Sequence, residues 1–251
     1  MTYCVALELQ DGLVFVSDSR TNAGPDQVSV YSKMYHWGRG AERQIVLLSA
    51  GNLATTQAVA ARIERDIDEA AATHLFTTTD LNATADYIGQ VSREEQAKHT
   101  GSPRNQGFKP EASFILGGQI VGRPPQLHLI YPEGNHIRPS HSAPFLQIGE
   151  IKYGKPILDR IIRPDTPVEH ALRCVLVSMD STIRSNATVG PPVEVLLYRR
   201  DRLALDGYLS LDADDPYLAL LRRRWNEKLM EAFEALPMVD LERMTTPPER
   251  L

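Results

Sequence analysis

The stretch "TYCVALELQDGLVFVSDSR" sets the first constraint. Thr2–Leu9 reads as one strand, Asp11-Gly12 as a turn, and Leu13–Arg20 as the strand running back. An Asp-Gly pair between two apolar alternations predicts an antiparallel hairpin. A lone hairpin is not stable in water, so further strands or helices must cover it. The pattern begins directly behind Met1, and the expectation is that no leader or signal peptide precedes the strand.

Beyond the break at "NAGPDQ", strands are predicted at Val28–Trp37 and Arg43–Ala50. At Gly51-Asn52 the apolar period changes to that of a helix: Asn52 is placed as N-cap, and Val59, Ile63, Ile67 and Ala70 follow at helical spacing. A second helix is expected from Leu81 to about Lys98, ended by the breakers of "TGSPRNQG". Strands return at Ala112–Ile120, Gln126–Tyr131 and Phe145–Ile148, and a short helix at Lys155–Ile162. "TPVE" predicts the next helix, with Thr166 as N-cap, Pro167 at the first helical position and Glu169 closing a capping box. Val168, Leu172, Val175 and Met179 form its buried stripe. Two more strands, Val193–Tyr198 and Arg202–Leu205, lead to a last helix opened by Asp215-Pro216 and stopped by Pro237.

Strands that cluster rather than alternate with helices favour an α+β fold of antiparallel sheets with helices layered on them. A chain of 251 residues can bury a substantial core. No repeat or linker divides it, so one domain over residues 1–236 is expected, with a Pro-bearing tail over 237–251.

A net charge of −5 argues against nucleic acid as the main partner. The one dense basic cluster, "LRRRWNEK", reads as the solvated face of the last helix, whose Leu218, Leu221, Trp225, Leu229 and Phe233 turn to the core. No apolar run approaches the length of a membrane span. Cys4 and Cys174 make no metal-type spacing and read as reduced, buried thiols of a cytoplasmic protein, and the histidines of "HIRPSHS" read as an irregular surface loop. Neither a metal nor a cofactor is expected.

The chemistry-bearing residues are dispersed. Removal of Met1 would leave Thr2 with a free α-amine beside its own hydroxyl, and a small second residue permits that removal. A threonine hydroxyl needs a base, and an α-amine titrating near ~7.7–8.0 can serve as one. Asp18 and Arg20 lie two apart on a strand and share a face, while Lys33 sits on a strand that can pair close by. By themselves an Asp and a Lys so placed are as readily an ordinary cross-strand ion pair. "LLSAGN" runs a strand into a helix start, where Gly51 would offer its N–H to a substrate carbonyl as an oxyanion donor. Alone, that motif is as readily a plain strand-to-helix turn.

Taken together, Thr2 at a strand start, "DGLVFVSDSR", "SKM" and "LLSAGN" resemble the proteasome-type β subunits among the N-terminal nucleophile hydrolases. "LVFVSDSRTNAGPDQVS" with "SKMY" resembles the Anbu (ancestral β subunit) branch in particular. The resemblance implies a four-layer αββα sandwich and a threonine peptidase or amidohydrolase. It makes Thr2 the nucleophile, its amine the base, Asp18 and Lys33 a supporting pair, Gly51 the oxyanion donor and Arg20 a structural partner. "VSMDSTIRS" resembles the segment where the family places an Asp and a Ser near the amine, which points to Asp180 and Ser181. Where proteasome subunits carry a Ser-Gly pair contacting the amine, "QIGEIKYGK" offers Gly149-Glu150, whose carboxylate would raise the amine's pKa and weaken it as a base.

The resemblance further implies self-assembly into rings or helical homo-oligomers, a peptide or amide substrate, and an ATP-dependent unfoldase partner by analogy with other bacterial members. Two alternatives stand beside the peptidase. One is a non-proteolytic amide hydrolase or amidotransfer enzyme, and the other is a self-assembling scaffold with a weak or vestigial site.

Overall fold

The computed structural model describes residues 1–22, 28–98, 109–205 and 207–243. The breakers of "TGSPRNQG", most of "NAGPDQ" and the tail from residue 244 lie outside the described residues.

The chain builds twelve strands and five α-helices among these residues: β1 (Tyr3–Leu9), β2 (Gly12–Asp18), β3 (Arg20–Asn22), β4 (Val28–Val30), β5 (Met34–Arg39), β6 (Arg43–Gly51), α1 (Leu53–Asp68), α2 (Leu81–Ala97), β7 (Ala112–Ile120), β8 (Gln126–Ile130), β9 (His136–Ile137), β10 (Phe145–Gly149), α3 (Lys155–Ile161), α4 (Val168–Ser185), β11 (Val193–Arg199), β12 (Gly207–Leu211) and α5 (Pro216–Glu234). One antiparallel sheet has the order β10-β1-β2-β11-β12 and the other β5-β6-β7-β8-β9. A small β3-β4 ribbon stands apart from both.

Strand periodicity explains how these elements become four layers. Along β1 and β2, Tyr3, Val5, Leu7, Val14 and Val16 join a core with Leu158 of α3 and Val175 and Met179 of α4. The alternate residues Cys4, Ala6, Leu13 and Phe15 point the other way, onto Val46 and Leu48 of β6 and Ile115 of β7. The remaining face of the second sheet, with Ile45, Leu47, Phe114 and Leu116, packs on Val59 and Ile63 of α1 and Ile88 of α2. Two sheets thus share a middle core, and each carries a helical layer outside. This is the αββα sandwich, and it explains why the central strands are apolar at nearly every position.

Local chemistry moves several boundaries. Asn52 caps α1 as expected, its Oδ1 accepting from Thr55 N at 3.2 Å, and Asp215 caps α5 through Tyr217 N and Leu218 N. The expected Leu13–Arg20 strand is interrupted at Ser19, where the chain leaves the large sheet for β3, and Val28–Trp37 divides into β4 and β5. Thr166 does not cap α4: its Oγ1 instead accepts from Arg163 N at 2.8 Å, closing a turn ahead of the helix, and Pro167 is the N-cap. The expected strand Arg202–Leu205 is the hairpin turn between β11 and β12. There Asp201 and Leu203 take positive φ, and Asp201 N donates to Gln119 Oε1. "HIRPSHS" is not wholly irregular, since His136 lies on β9, where its ring meets those of His128 and the Asp86 carboxylate.

The last helix departs furthest from expectation. α5 packs mainly on α4 and reaches the core only through its first turns, so Leu218 is buried, Leu221 and Trp225 are half-buried, and Leu229 and Phe233 are exposed. No helix among the described residues is long and apolar enough to cross a membrane.

Phe15 stands at the centre of the middle core, fully buried and against Gly117 of the facing sheet. Phe15→Ala is expected to cost about 3–5 kcal/mol by leaving a cavity there. Gly117→Ala, which forces a methyl onto the Phe15 ring, is expected to cost about 1–3 kcal/mol. Urea unfolding of the two variants measures both.

Candidate active site at the start of the first strand

The site is built around Asp18, the fully buried last residue of β2. Its Oδ1 accepts from Lys33 Nζ at 2.6 Å and from Tyr3 N at 3.0 Å, and its Oδ2 accepts from Gly190 N at 3.1 Å. Lys33, on the stretch between β4 and β5, is 5% exposed and also donates to Arg20 O at 2.7 Å. Its own carbonyl accepts from Ser49 N of β6. Burying an ion pair is costly unless further hydrogen bonds satisfy both partners, and here they do. Burial pushes the Asp18 carboxyl upward in pKa, while Lys33 and the two amides pull against that.

Thr2 is buried at the mouth of β1, next to this pair. Its carbonyl accepts from Glu150 N at 2.7 Å. Gly149 makes that approach feasible: its φ is +83°, and a Cβ there would come within 1.9 Å of Thr2 O. The α-amine of Met1 lies in the same field. Burial, then the Lys33 ammonium, lower its pKa from the ordinary 8.0, and the carboxylates of Asp18 and Glu150 act in the opposite direction.

A cavity of about 240 Å³ opens here, lined by Met1, Thr2 and Lys33 on one side and by Ala50, Gly51 and Asn52 on another, with Thr21, Asn22, Ser49 and Thr56 at its wall. Gly51 ends β6 with φ +116°, where a side chain would collide with Glu111 O. It stands one residue before the N-cap of the 16-residue α1, at the positive end of that helix's dipole. The structure therefore brings Thr2, Lys33 and Gly51 to one cavity and anchors Lys33 on Asp18.

Other expected residues are placed differently. Arg20 projects away from the cavity, donates to Ala187 O at 2.9 Å and lies over Gly190. Its strand thereby fixes the loop that supplies Gly190 N to Asp18. Glu150 is buried, accepts from Asn186 Nδ2 at 2.9 Å and stands 3.6 Å from Lys152 Nζ. Asp180 and Ser181 are not brought to Thr2. Asp180 accepts from Arg222 Nε of α5 at 2.6 Å, and both residues line the α4–α5 junction.

The segment that does approach the site is the loop after α4, through Asn186 on Glu150 and Gly190 on Asp18. A sequence signal for this existed: Asp180 and Ser181 fall inside a helical period, whereas "SNATVGPP" breaks it and must be loop. Among the described residues no cluster of His, Cys, Asp and Glu is arranged to hold a metal ion.

No protein-family model matches the chain, and no curated protein does. Solved structures do. Against the helical assembly of the Anbu complex from Pseudomonas aeruginosa the identity is 44% and the TM-score 0.92, over 97% of this chain and 100% of that one. Anbu from Yersinia bercovieri is 40% identical with a TM-score of 0.89, and Anbu from Hyphomicrobium sp. strain MC1 is 42% identical with a TM-score of 0.86. Each covers 96% of this chain and all of its own. With these identities extending over nearly its whole length, the chain belongs to the Anbu, or ancestral β-subunit, family.

Proposed function

We propose that the protein is an N-terminal threonine hydrolase of proteasome type, cleaving peptide or related amide bonds once Met1 is removed, and working as a ring or helical homo-oligomer in the cytoplasm. In this reading residues 1–236 form one proteasome-like domain and 237–251 a tail that reaches a neighbour. The observation that carries the reading is the buried Lys33 ammonium, held by Asp18 and Arg20 O and facing the cavity that Thr2 and Gly51 line.

The chemistry follows from those positions. With Met1 gone, the Thr2 amine takes the proton of its own hydroxyl as the oxygen attacks the substrate carbonyl. Lys33 stabilises the developing charge on the threonine oxygen and keeps the amine's pKa low. The carbonyl oxygen becomes an oxyanion facing Gly51 N–H. The C–N bond then breaks, the leaving amine takes the proton from the Thr2 ammonium, and an ester remains on Thr2. Water adds to that ester, its proton passing to the Thr2 amine. Release of the acid returns that proton to the Thr2 oxygen.

Glu150, whose N–H donates to Thr2 O, works against this chemistry, because a buried carboxylate beside the Thr2 amine favours its protonated form. It is the observation that favours the second reading, an assembling scaffold whose site turns over slowly. The small, polar-walled cavity also suits an amide smaller than a protein chain.

N-terminal mass spectrometry of cell-derived protein, followed by a threonine-directed electrophile, tests the main reading. Loss of Met1 and an adduct on Thr2 are expected, with none in Thr2→Ala. An intact Met1 without labelling would overturn the proposal. Lys33→Ala leaves Asp18 as an unpaired buried carboxylate and is expected to lose about 3–5 kcal/mol of stability. Where it is still folded, labelling should slow by about 10² or more.

The pH profile of labelling supplies a separate check. The Thr2 amine reacts through its neutral form, and the neighbouring Lys33 ammonium favours that form, so the rate should rise with pH around a midpoint below the ~7.7–8.0 of an ordinary α-amine. The buried Glu150 carboxylate, whose own N–H donates to Thr2 O, favours the protonated Thr2 amine, so Glu150→Gln should move the midpoint further down and speed labelling on the acid side. A midpoint that moves up in Glu150→Gln would contradict the assignment.

A further inference from the structure

We propose that the cavity between the start of α2 and the turn joining β7 to β8 binds inorganic phosphate in its hydrogen phosphate form. The cavity, about 240 Å³, has Asp80, Asn82, Arg123, Gln126, His128 and Arg138 among its lining residues. β7 runs from Ala112, opposite Gly51, to Ile120, opposite Arg43, and Gln126 pairs with Gly118 near that second end. The cavity therefore lies at the far end of the second sheet from Gly51. It shares no lining residue with the cavity at Thr2.

Arg123 and Arg138 give the cavity its positive charge. Both side chains are about half exposed, and each makes a long ion pair: Arg123 Nη1 stands 3.9 Å from Asp80 Oδ2, and Arg138 Nη2 stands 3.4 Å from Glu8 Oε1. Such surface pairs contribute little and leave guanidinium N–H groups open to a better acceptor. Asp80 is the one carboxylate among the described lining residues, and its Oδ1 accepts from Ala83 N at 2.9 Å as the cap of α2. The side-chain amides of Asn82 and Gln126 add neutral donors. Two planar guanidinium groups converging on one cavity suit a tetrahedral oxyanion.

His128 narrows the choice to an oxyanion that carries a proton. It is 1% exposed on β8, and its ring lines the cavity. His136 Nε2 lies 3.2 Å from Asp86 Oδ1, and a carboxylate only accepts, so that nitrogen holds the hydrogen. In the neutral form of His136 its Nδ1 is then an acceptor, and His128 Nδ1 donates to it at 3.2 Å. Burial, then His136 and Arg138, push the His128 imidazole down to about 4, so this ring is neutral at pH 8. Its Nε2 is therefore a bare lone pair, and it is buried with no hydrogen-bond partner among the described residues. A buried acceptor left unmet is unfavourable, and a ligand that brings an O–H relieves it. Hydrogen phosphate brings one P–O–H to Nε2 and three oxygens to the arginines. Sulfate has the same charge and shape but sets acceptor against acceptor. A phosphate monoester is likewise a dianion without a hydroxyl at pH 8.

Equilibrium dialysis of the full chain against radiolabelled phosphate at pH 8, with sulfate and methyl phosphate as competitors, tests the inference. One saturable phosphate site per chain is expected, with each competitor weaker by about tenfold or more. Arg123→Gln with Arg138→Gln, at two exposed positions, should weaken phosphate binding by about tenfold or more while the circular dichroism spectrum stays that of the parent. His128→Phe should remove the preference for phosphate over sulfate. Should that buried substitution prevent folding, the competition on the unaltered chain still decides the point. No saturable binding at millimolar phosphate would overturn the inference. So would sulfate or methyl phosphate competing as well as phosphate itself, or binding that survives the double arginine substitution.

Discussion

The buried contact between Lys33 and Asp18 is the constraint around which the first fifth of the chain is arranged. An ammonium and a carboxylate excluded from water are tolerable when further hydrogen bonds reach both partners. Tyr3 N and Gly190 N supply them to Asp18 and Arg20 O to Lys33, and these groups come from β1, the loop after α4, and β3. The start of the chain, the middle of the large sheet and a loop more than 150 residues away are therefore held by one pair of charges. Arg20 extends the same arrangement outward by fixing the loop that carries Gly190.

Much of this was legible in the residues, for identifiable reasons. Helix starts with a side-chain acceptor, Asn52 and Asp215, stand where the capping rule puts them, because the cap is a local interaction. Thr166 shows the limit: a hydroxyl followed by Pro at the right spacing can close the preceding turn instead, and spacing does not distinguish the two. The stretch Arg202–Leu205 has strand-like apolar residues, but Gln119 of the other sheet holds Asp201 in a turn, a contact no local window contains.

The same distinction separates the site residues. Thr2, Lys33 and Gly51 meet at one cavity because each sits at the end of a strand or in the link between strands, and hairpin pairing places such ends together. The resemblance points to Asp180 from inside a helix, where a shift of about six residues moves a side chain more than one turn along the axis. In the structure its carboxylate instead ties α4 to α5 through Arg222. Asn186 and Gly190, which do approach the site, owe their place to a loop whose path depends on β2, β3 and Arg20 at once.

The position of β1 in its sheet has a consequence for what a chain end can be. Strand termini ordinarily fray, and a group on a frayed end samples many orientations. Here β1 is paired on both edges, with Tyr3 opposite Gly149 on one side and Cys4 opposite Ser17 on the other. The conformational entropy of the terminus is therefore lost once, during folding, and is not lost again each time a substrate binds. In the proposed mechanism the Thr2 nitrogen, one residue ahead of this paired stretch and with its carbonyl held by Glu150 N, takes the place of a separate side-chain base.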